Sequence, residues 1–332
     1  MTRTKQRIFS ALYYRCPPRN TSEPNYDYNQ HIRLKSYLSS STESSSNRHG
    51  SVSSEEVSKF SSLSSTWWNA SQNPLLSMNP IRVKRILQVI RSRSNDYDPS
   101  EHKQPPNPLS ELKALDVGCG GGVLSESLAR LGASVTAIDP SKEIVNVAKQ
   151  RLVRDKSLVG NIDYQGGVSV EDLANDPSNH GMYNIICILE VIEHASNPQS
   201  LIQAAAQLLK RPTYSNDTNK VIESGGILFV STLNRTAKSY LCGIVGAEHL
   251  MRLLPVGTHN WHQFKTPEEV KILVEGVKLM PIPTKMSDHI PKLTEIDVCG
   301  MTFEPDIFAR SFKWSLKKHD LDMNWIGAYG FK

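Results

Sequence analysis

From Ala114 onward, short apolar runs alternate with segments whose apolar positions recur at helical spacing. "ALDV" precedes Leu124 to Leu131, "SVTAID" precedes Ile144 to Leu152, and "IDYQ" precedes Val170 to Ala174. "YNIICIL" then precedes Leu201 to Leu209, and "GILFVS" precedes a further helical stretch. This alternation predicts an α/β protein built from parallel βαβ units. Right-handed crossovers then place the C-terminal ends of the strands on one edge, where ligands bind. Near the end, "EIDVCGMTF" and "MNWIGAYGF" read as an antiparallel strand pair closing the sheet. Ahead of the first strand the pattern predicts a short helical region around Trp67 and Trp68, then a helix starting near Pro80, where proline suits a first turn. "SNPQ" from Ser196 and "TPEE" from Thr266 read as capping boxes.

The first part of the chain has a different composition. Residues 1–22 carry Arg3, Lys5, Arg7, Arg15 and Arg19 and no acid, and residues 36–65 are dominated by serine. An Arg-rich, Ser-rich, acid-poor start reads as an organelle transit peptide followed by a disordered linker, with the mitochondrion as destination. The expected division is leader and linker over 1–54 and one domain over 55–332. The basic leader supplies much of the net charge of +5. No Lys/Arg run with interleaved aromatics follows in the body, so no nucleic-acid footprint is expected. No apolar stretch is long enough to span a membrane. Cys16, Cys119, Cys187, Cys242 and Cys299 are scattered without a C-x-x-C spacing, which points to a reducing compartment and against a zinc site.

Two local clusters carry chemistry. In "LDVGCGGG", Gly118, Gly120 and Gly122 follow the first strand and precede a helix, so backbone N–H groups can approach a ligand closely. Asp116 stands just before the loop, and Asp139 ends the second strand, where a carboxylate takes both hydroxyls of a ribose. Together they predict a nucleoside-containing cofactor, either a dinucleotide or S-adenosylmethionine (AdoMet). The G-x-G-x-G spacing departs from the G-x-G-x-x-G that a dinucleotide pyrophosphate requires. The second cluster is "ILEVIEHASNP", with Glu190, Glu193 and His194 directly after an apolar strand. Desolvating such groups is costly, so they are either solvated on a turn or matched by a proton, a cation or hydrogen bonds.

The motif order over 112–231 resembles that of class I AdoMet-dependent methyltransferases. "WWN", "NPIRVKRI", "LDVGCGGGVLSESLARLGASVTAID", "EVIEH" and above all "STLNRTAKSYLCGIVGAEHLMRLLPVGTHNWHQF" together resemble the ubiquinone-biosynthesis O-methyltransferase family, of mitochondrial type. The resemblance runs from about Glu55 to Lys332 and is loosest in the C-terminal "FARSFKWSLKKHDLDMNWIGAYGFK". It implies a Rossmann-like, mostly parallel seven-stranded sheet with helices on both faces and an antiparallel last strand. It implies methyl transfer to a ring hydroxyl of a polyprenylated dihydroxybenzoate or a demethylated ubiquinol. AdoMet contacts are implied at Arg82, Gly118, Asp139 and Leu189, beside the loop residues Asp116, Gly120 and Gly122. A magnesium site is implied at Glu190, Glu193 and His194, which are also the expected catalytic residues. A bound cation would lower the pKa of a phenol, ordinarily about 10, and orient it. Without metal, His194 remains a candidate base.

Rival readings are a methyltransferase for another small phenol or lipid, a dinucleotide-dependent oxidoreductase disfavoured by the glycine spacing, and a non-catalytic scaffold, against which the intact loop and acids argue. Within an insertion at 234–262, Tyr240, Leu241, Ile244, Val245, Leu250, Met251, Leu253 and Leu254 recur near helical spacing, with Lys238 and Arg252 nearby. This reads as an interfacial helix over 236–254, which makes the protein peripheral to the matrix side of the mitochondrial inner membrane. A ubiquinone-biosynthesis complex is a further expected partner.

Overall fold

The computed structural model describes residues 50–70, 73–93, 106–214, 221–241, 260–279, 291–306 and 311–331. Residues 1–49 of the expected leader and linker (1–54) and residues 242–259 of the expected insertion (234–262) lie outside the described residues.

The predicted alternation is present. Strands β1 (Lys113–Val117), β2 (Ser134–Asp139), β3 (Ile162–Gly166), β4 (Ile185–Leu189) and β5 (Ile227–Leu233) pair in parallel in the order β3-β2-β1-β4-β5. They alternate with helices α3 (Val123–Arg130), α4 (Lys142–Leu152), α5 (Val170–Ala174) and α6 (Pro198–Leu208), and α7 (Pro267–Glu275) follows β5. The sheet continues through β8 (Asn324–Phe331), β6 (Leu293–Asp306) and β7 (Ser311–Lys317), each antiparallel to its neighbour. The described sheet therefore has eight strands where seven were expected. The addition is β7, an edge strand paired with β6 from Gly300↔Lys317 to Asp306↔Ser311.

β4 is apolar throughout because both of its faces are covered. Ile185, Cys187 and Leu189 pack with Val83 and Ile86 of helix α2 (Pro74–Ser92) and with Leu124 and Leu128 of α3. Ile186 and Ile188 point the other way, toward Leu201 and Ile202 of α6 and Val270 of α7. Period-two alternation thus splits one hydrophobic run between two cores.

The helix expected near Pro80 starts at Pro74, and Pro80 lies inside it. Both positions carry an Asn-Pro dipeptide. The upstream one starts the helix because Asn73 Oδ1 accepts from Leu75 N, and Pro74 needs no hydrogen-bond partner at the first position. Asn79, which precedes Pro80, lies inside the helix, donates to Ser127 Oγ at 2.9 Å and ties α2 to α3. At α6 the cap is Asn197 rather than Ser196, accepting from Ser200 N. The Thr266 capping box forms with both of its hydrogen bonds.

The serine-rich stretch enters the domain from Gly50 onward. Helix α1 (Ser54–Ser62) is capped by Ser53 and followed by a 3-10 turn over Ser64–Thr66. Ser51 N donates to Glu171 Oε1, and Ser61 Oγ lies 2.7 Å from Ser141 Oγ. Serine here supplies a cap and tethers, roles that composition alone does not distinguish from a linker.

Candidate cofactor and methyl-transfer site

The C-terminal ends of β1, β2 and β4 meet at the glycine loop. Gly118, Gly120 and Gly122 all have left-handed backbone, with φ of +69°, +52° and +86°. At Gly120 the requirement is also one of space, since a Cβ there would sit 2.2 Å from the indole of Trp67. Asp139 braces the loop from the end of β2, its Oδ2 accepting from Gly120 N at 3.0 Å and its Oδ1 from Ser141 N at 2.8 Å. Burial pushes its carboxyl above the ordinary range, opposed by these two hydrogen bonds.

A cavity of about 130 Å³ opens beside this edge. Its floor includes Gly118, Asp139, Glu190 and His194, and α1 forms its roof through Glu56 and Phe60. Glu56 Oε2 stands 2.8 Å from His194 Nδ1, a contact that holds the Glu56 carboxyl below its usual range. Phe60 meets the imidazole edge-on, with ring centroids 4.8 Å apart. A second cavity of about 30 Å³ is lined by Arg82, Asp116, Gly118, Leu189 and Trp67 among others. Five of the seven expected cofactor residues, Arg82, Asp116, Gly118, Asp139 and Leu189, line one or other of these cavities, and Gly120 and Gly122 line neither. Asp139 borders the larger cavity, Gly118 touches both, and Arg82, Asp116 and Leu189 border the smaller. Gly120 lies under Trp67, and Gly122 begins α3 beneath the Tyr164 hydroxyl.

The three members of the acidic cluster do not converge. Glu190 has φ +59°, uncommon for a residue with a Cβ. Its Oε1 accepts from Ser231 Oγ at 2.7 Å and lies 3.4 Å from Arg82 Nη2, and its Oε2 accepts from Asn324 Nδ2 at 3.1 Å. Glu193 is 3% exposed and does not line the larger cavity. Burial, then the like charge of Glu190, pushes its carboxyl up to about 7. Among the described residues no group of three or more His, Cys, Asp or Glu is arranged to hold a metal ion. The expected magnesium centre is thus not formed by these side chains. Glu190 is engaged by a guanidinium, a hydroxyl and an amide, His194 faces Glu56, and Glu193 lies apart from the cavity they share.

Asp116 is buried and accepts from Ser125 Oγ at 2.5 Å. Burial pushes its pKa up to about 7, opposed by the Ser125 hydrogen bond and the Arg82 charge. A carboxyl raised on folding binds its proton more tightly in the native state. Its stabilising contribution is present below about pH 4 and is lost as pH rises through about 7. Asp116→Asn is therefore expected to melt a few degrees above wild type at pH 8, with the difference vanishing near pH 4. Calorimetric scans of the ligand-free proteins across that range check it.

Trp67, Glu56, Phe60, Ser231 and Asn324 were not among the expected site residues. Trp67 stood in the quoted "WWN", but Glu56 and Phe60 lie in the serine-rich stretch, and Asn324 reaches the site only through β8.

Comparison with known proteins matches this architecture. A methyltransferase-domain family profile covers residues 115–214, from β1 through the end of the fourth βα unit. The ubiquinone biosynthesis O-methyltransferase of Cereibacter sphaeroides is 37% identical over 275 residues, 82% of this chain and 94% of that protein. The protein of the same name from Nitrosomonas europaea is 38% identical over 75% of this chain and 86% of its own. That from Pelagibacter ubique is 36% identical over 84% of this chain and 98% of its own. With 36–38% identity to these proteins over 75–84% of its length, the chain belongs to the ubiquinone biosynthesis O-methyltransferase family.

Proposed function

We propose that the protein transfers the methyl group of AdoMet to a ring hydroxyl of a polyprenylated dihydroxybenzoate, and of a demethylated ubiquinol, in ubiquinone biosynthesis. The observation that carries this reading is the single cavity in which Asp139 and Gly118, suited to a nucleoside, face His194, suited to a phenol. Asp139 accepts from the ribose hydroxyls, and the loop amides approach the cofactor at the start of α3. Methyl transfer from a sulfonium is an in-line displacement, so alignment of oxygen, methyl carbon and sulfur supplies much of the rate. The nucleophile is a phenolate, and a neutral phenol needs a base to form it. With Nδ1 turned to Glu56, His194 carries its proton there and leaves Nε2 as the acceptor. Phe60, Val57 and Ile144 line the cavity and exclude water, which favours a reaction that neutralises a phenolate and a sulfonium together.

Before a divalent cation could be shared by Glu190, Glu193 and His194, Arg82 would have to leave Glu190 and Glu56 would have to leave His194. Magnesium titration followed through the His194 ring resonances distinguishes that rearrangement from the site described. The basic, acid-free leader supports a mitochondrial location on the matrix face of the inner membrane. Tyr240 and Leu241, 48% and 62% exposed at the start of the apolar insertion, support peripheral lipid contact through 236–254. Membership of a biosynthetic complex is supported only by the shared pathway.

The test is mass spectrometry of quinone intermediates in cells lacking the protein. Hydroxylated, unmethylated precursors should accumulate, and wild-type protein should clear them. Normal ubiquinone with no such precursor would overturn the assignment.

A further inference from the structure

Three buried nitrogen donors on two side chains have no hydrogen-bond acceptor: Trp67 Nε1, Arg82 Nε and Arg82 Nη2. Both residues line the 30 Å³ cavity. Arg82 is 4% exposed, and the nearest charge recorded for its Nη2 is Glu190 Oε1 at 3.4 Å, at ion-pair range without a hydrogen bond. An unmatched buried donor is costly, and more so when it is charged. Three beside one cavity call for an anionic acceptor with more than one oxygen.

A fourth lining residue narrows the choice. Asp116 borders the same cavity. A phosphate there would place its charge beside a carboxyl, whereas an α-amino acid offers an ammonium to Asp116 and a carboxylate to the donors. The methionyl end of AdoMet has that composition, and its nucleoside end would lie toward Asp139 through Gly118, which borders both cavities.

We infer that Trp67 is a cofactor-binding residue whose indole N–H, together with the Arg82 guanidinium, holds the α-carboxylate of AdoMet. This rests on the AdoMet reading of the site. The surroundings hold the indole in place. Asn73 Nδ2 donates to Trp67 O at 2.8 Å, and Trp68 Nε1 donates to Gly121 O at 2.9 Å. A Cβ at Gly120 or Gly121 would meet the Trp67 ring at 2.2 or 2.3 Å, so these glycines admit the indole as well as turning the chain. The residue ahead of α2 thereby joins a residue within it on one ligand group.

The test compares AdoMet with decarboxylated AdoMet, which lacks only the carboxylate. Calorimetric Kd values are measured for wild type and Trp67→Phe, which removes the N–H and keeps an aromatic ring. Wild type should prefer AdoMet, and in Trp67→Phe that preference should fall about tenfold, as expected for losing one hydrogen bond to a charged group. Taking the ratio of the two ligands cancels any general loss of packing. An unchanged ratio in Trp67→Phe overturns the assignment of Trp67. Wild-type protein that binds neither compound overturns the AdoMet reading itself.

Discussion

Asp139→Ala is expected to weaken AdoMet binding by about 30- to 1,000-fold, or about 2–4 kcal/mol, because charge-assisted hydrogen bonds to the ribose are lost. The effect has a second component inside the protein. Asp139 also accepts from Gly120 N and Ser141 N, so its removal releases the loop that shapes both cavities. Asp139→Asn retains an acceptor for one of these amides and should fall between wild type and alanine. Neither variant removes a side chain from the two hydrophobic cores, so far-UV circular dichroism should be unchanged. Titration calorimetry returning wild-type affinity for Asp139→Ala would remove this residue from the cofactor site.

His194→Ala should lower kcat by about 10² to 10⁴, the range supplied by a positioned general base, while the Kd for AdoMet stays near wild type. The two measurements separate because His194 lines only the larger cavity and contacts the roof rather than the glycine loop. Glu56→Gln should lower kcat by a smaller factor, since an amide still meets Nδ1 but no longer stabilises the imidazolium formed when the phenol is deprotonated. Raising the pH toward the phenol pKa should recover part of the activity of His194→Ala, because phenolate then forms without a base. A pH-independent deficit would assign His194 to packing against Phe60.

How far the sequence could be read depended on how local the determinants were. β1 to β5 were legible to within a few residues because strands covered on both faces must be apolar, and "IICIL" permits little else. The glycine loop and Asp139 were legible because left-handed turns and strand-end acids are short-range features. β7 was passed over although Phe312, Trp314 and Leu316 alternate with polar residues in "SFKWSLK". Lys313, Lys317 and Lys318 gave it the look of a solvated segment, and its pairing of Trp314 with Phe303 is tertiary. The acidic cluster was recognised but its partners were not. Asn324 lies 134 residues from Glu190 in the chain, and Glu56 sits in a serine-rich stretch that composition assigns to a linker. Long-range contacts of this kind decide whether neighbouring acids converge on a cation or diverge to separate partners, and no local spacing records them.

The distribution of these partners along the chain also bears on biogenesis. His194 is set by Glu56, from the first described helix, and Glu190 by Asn324, from the last strand. During vectorial synthesis the glycine loop and β2 emerge early, yet Glu190 lacks its Asn324 partner until β8 has been inserted between β5 and β6. Contacts of such large sequence separation form late, since loop-closure entropy must be overcome first. A ligand that binds the native fold adds its stabilisation once that contact has closed. A polypeptide truncated before β8 lacks an interior strand of the sheet and should be left to quality control.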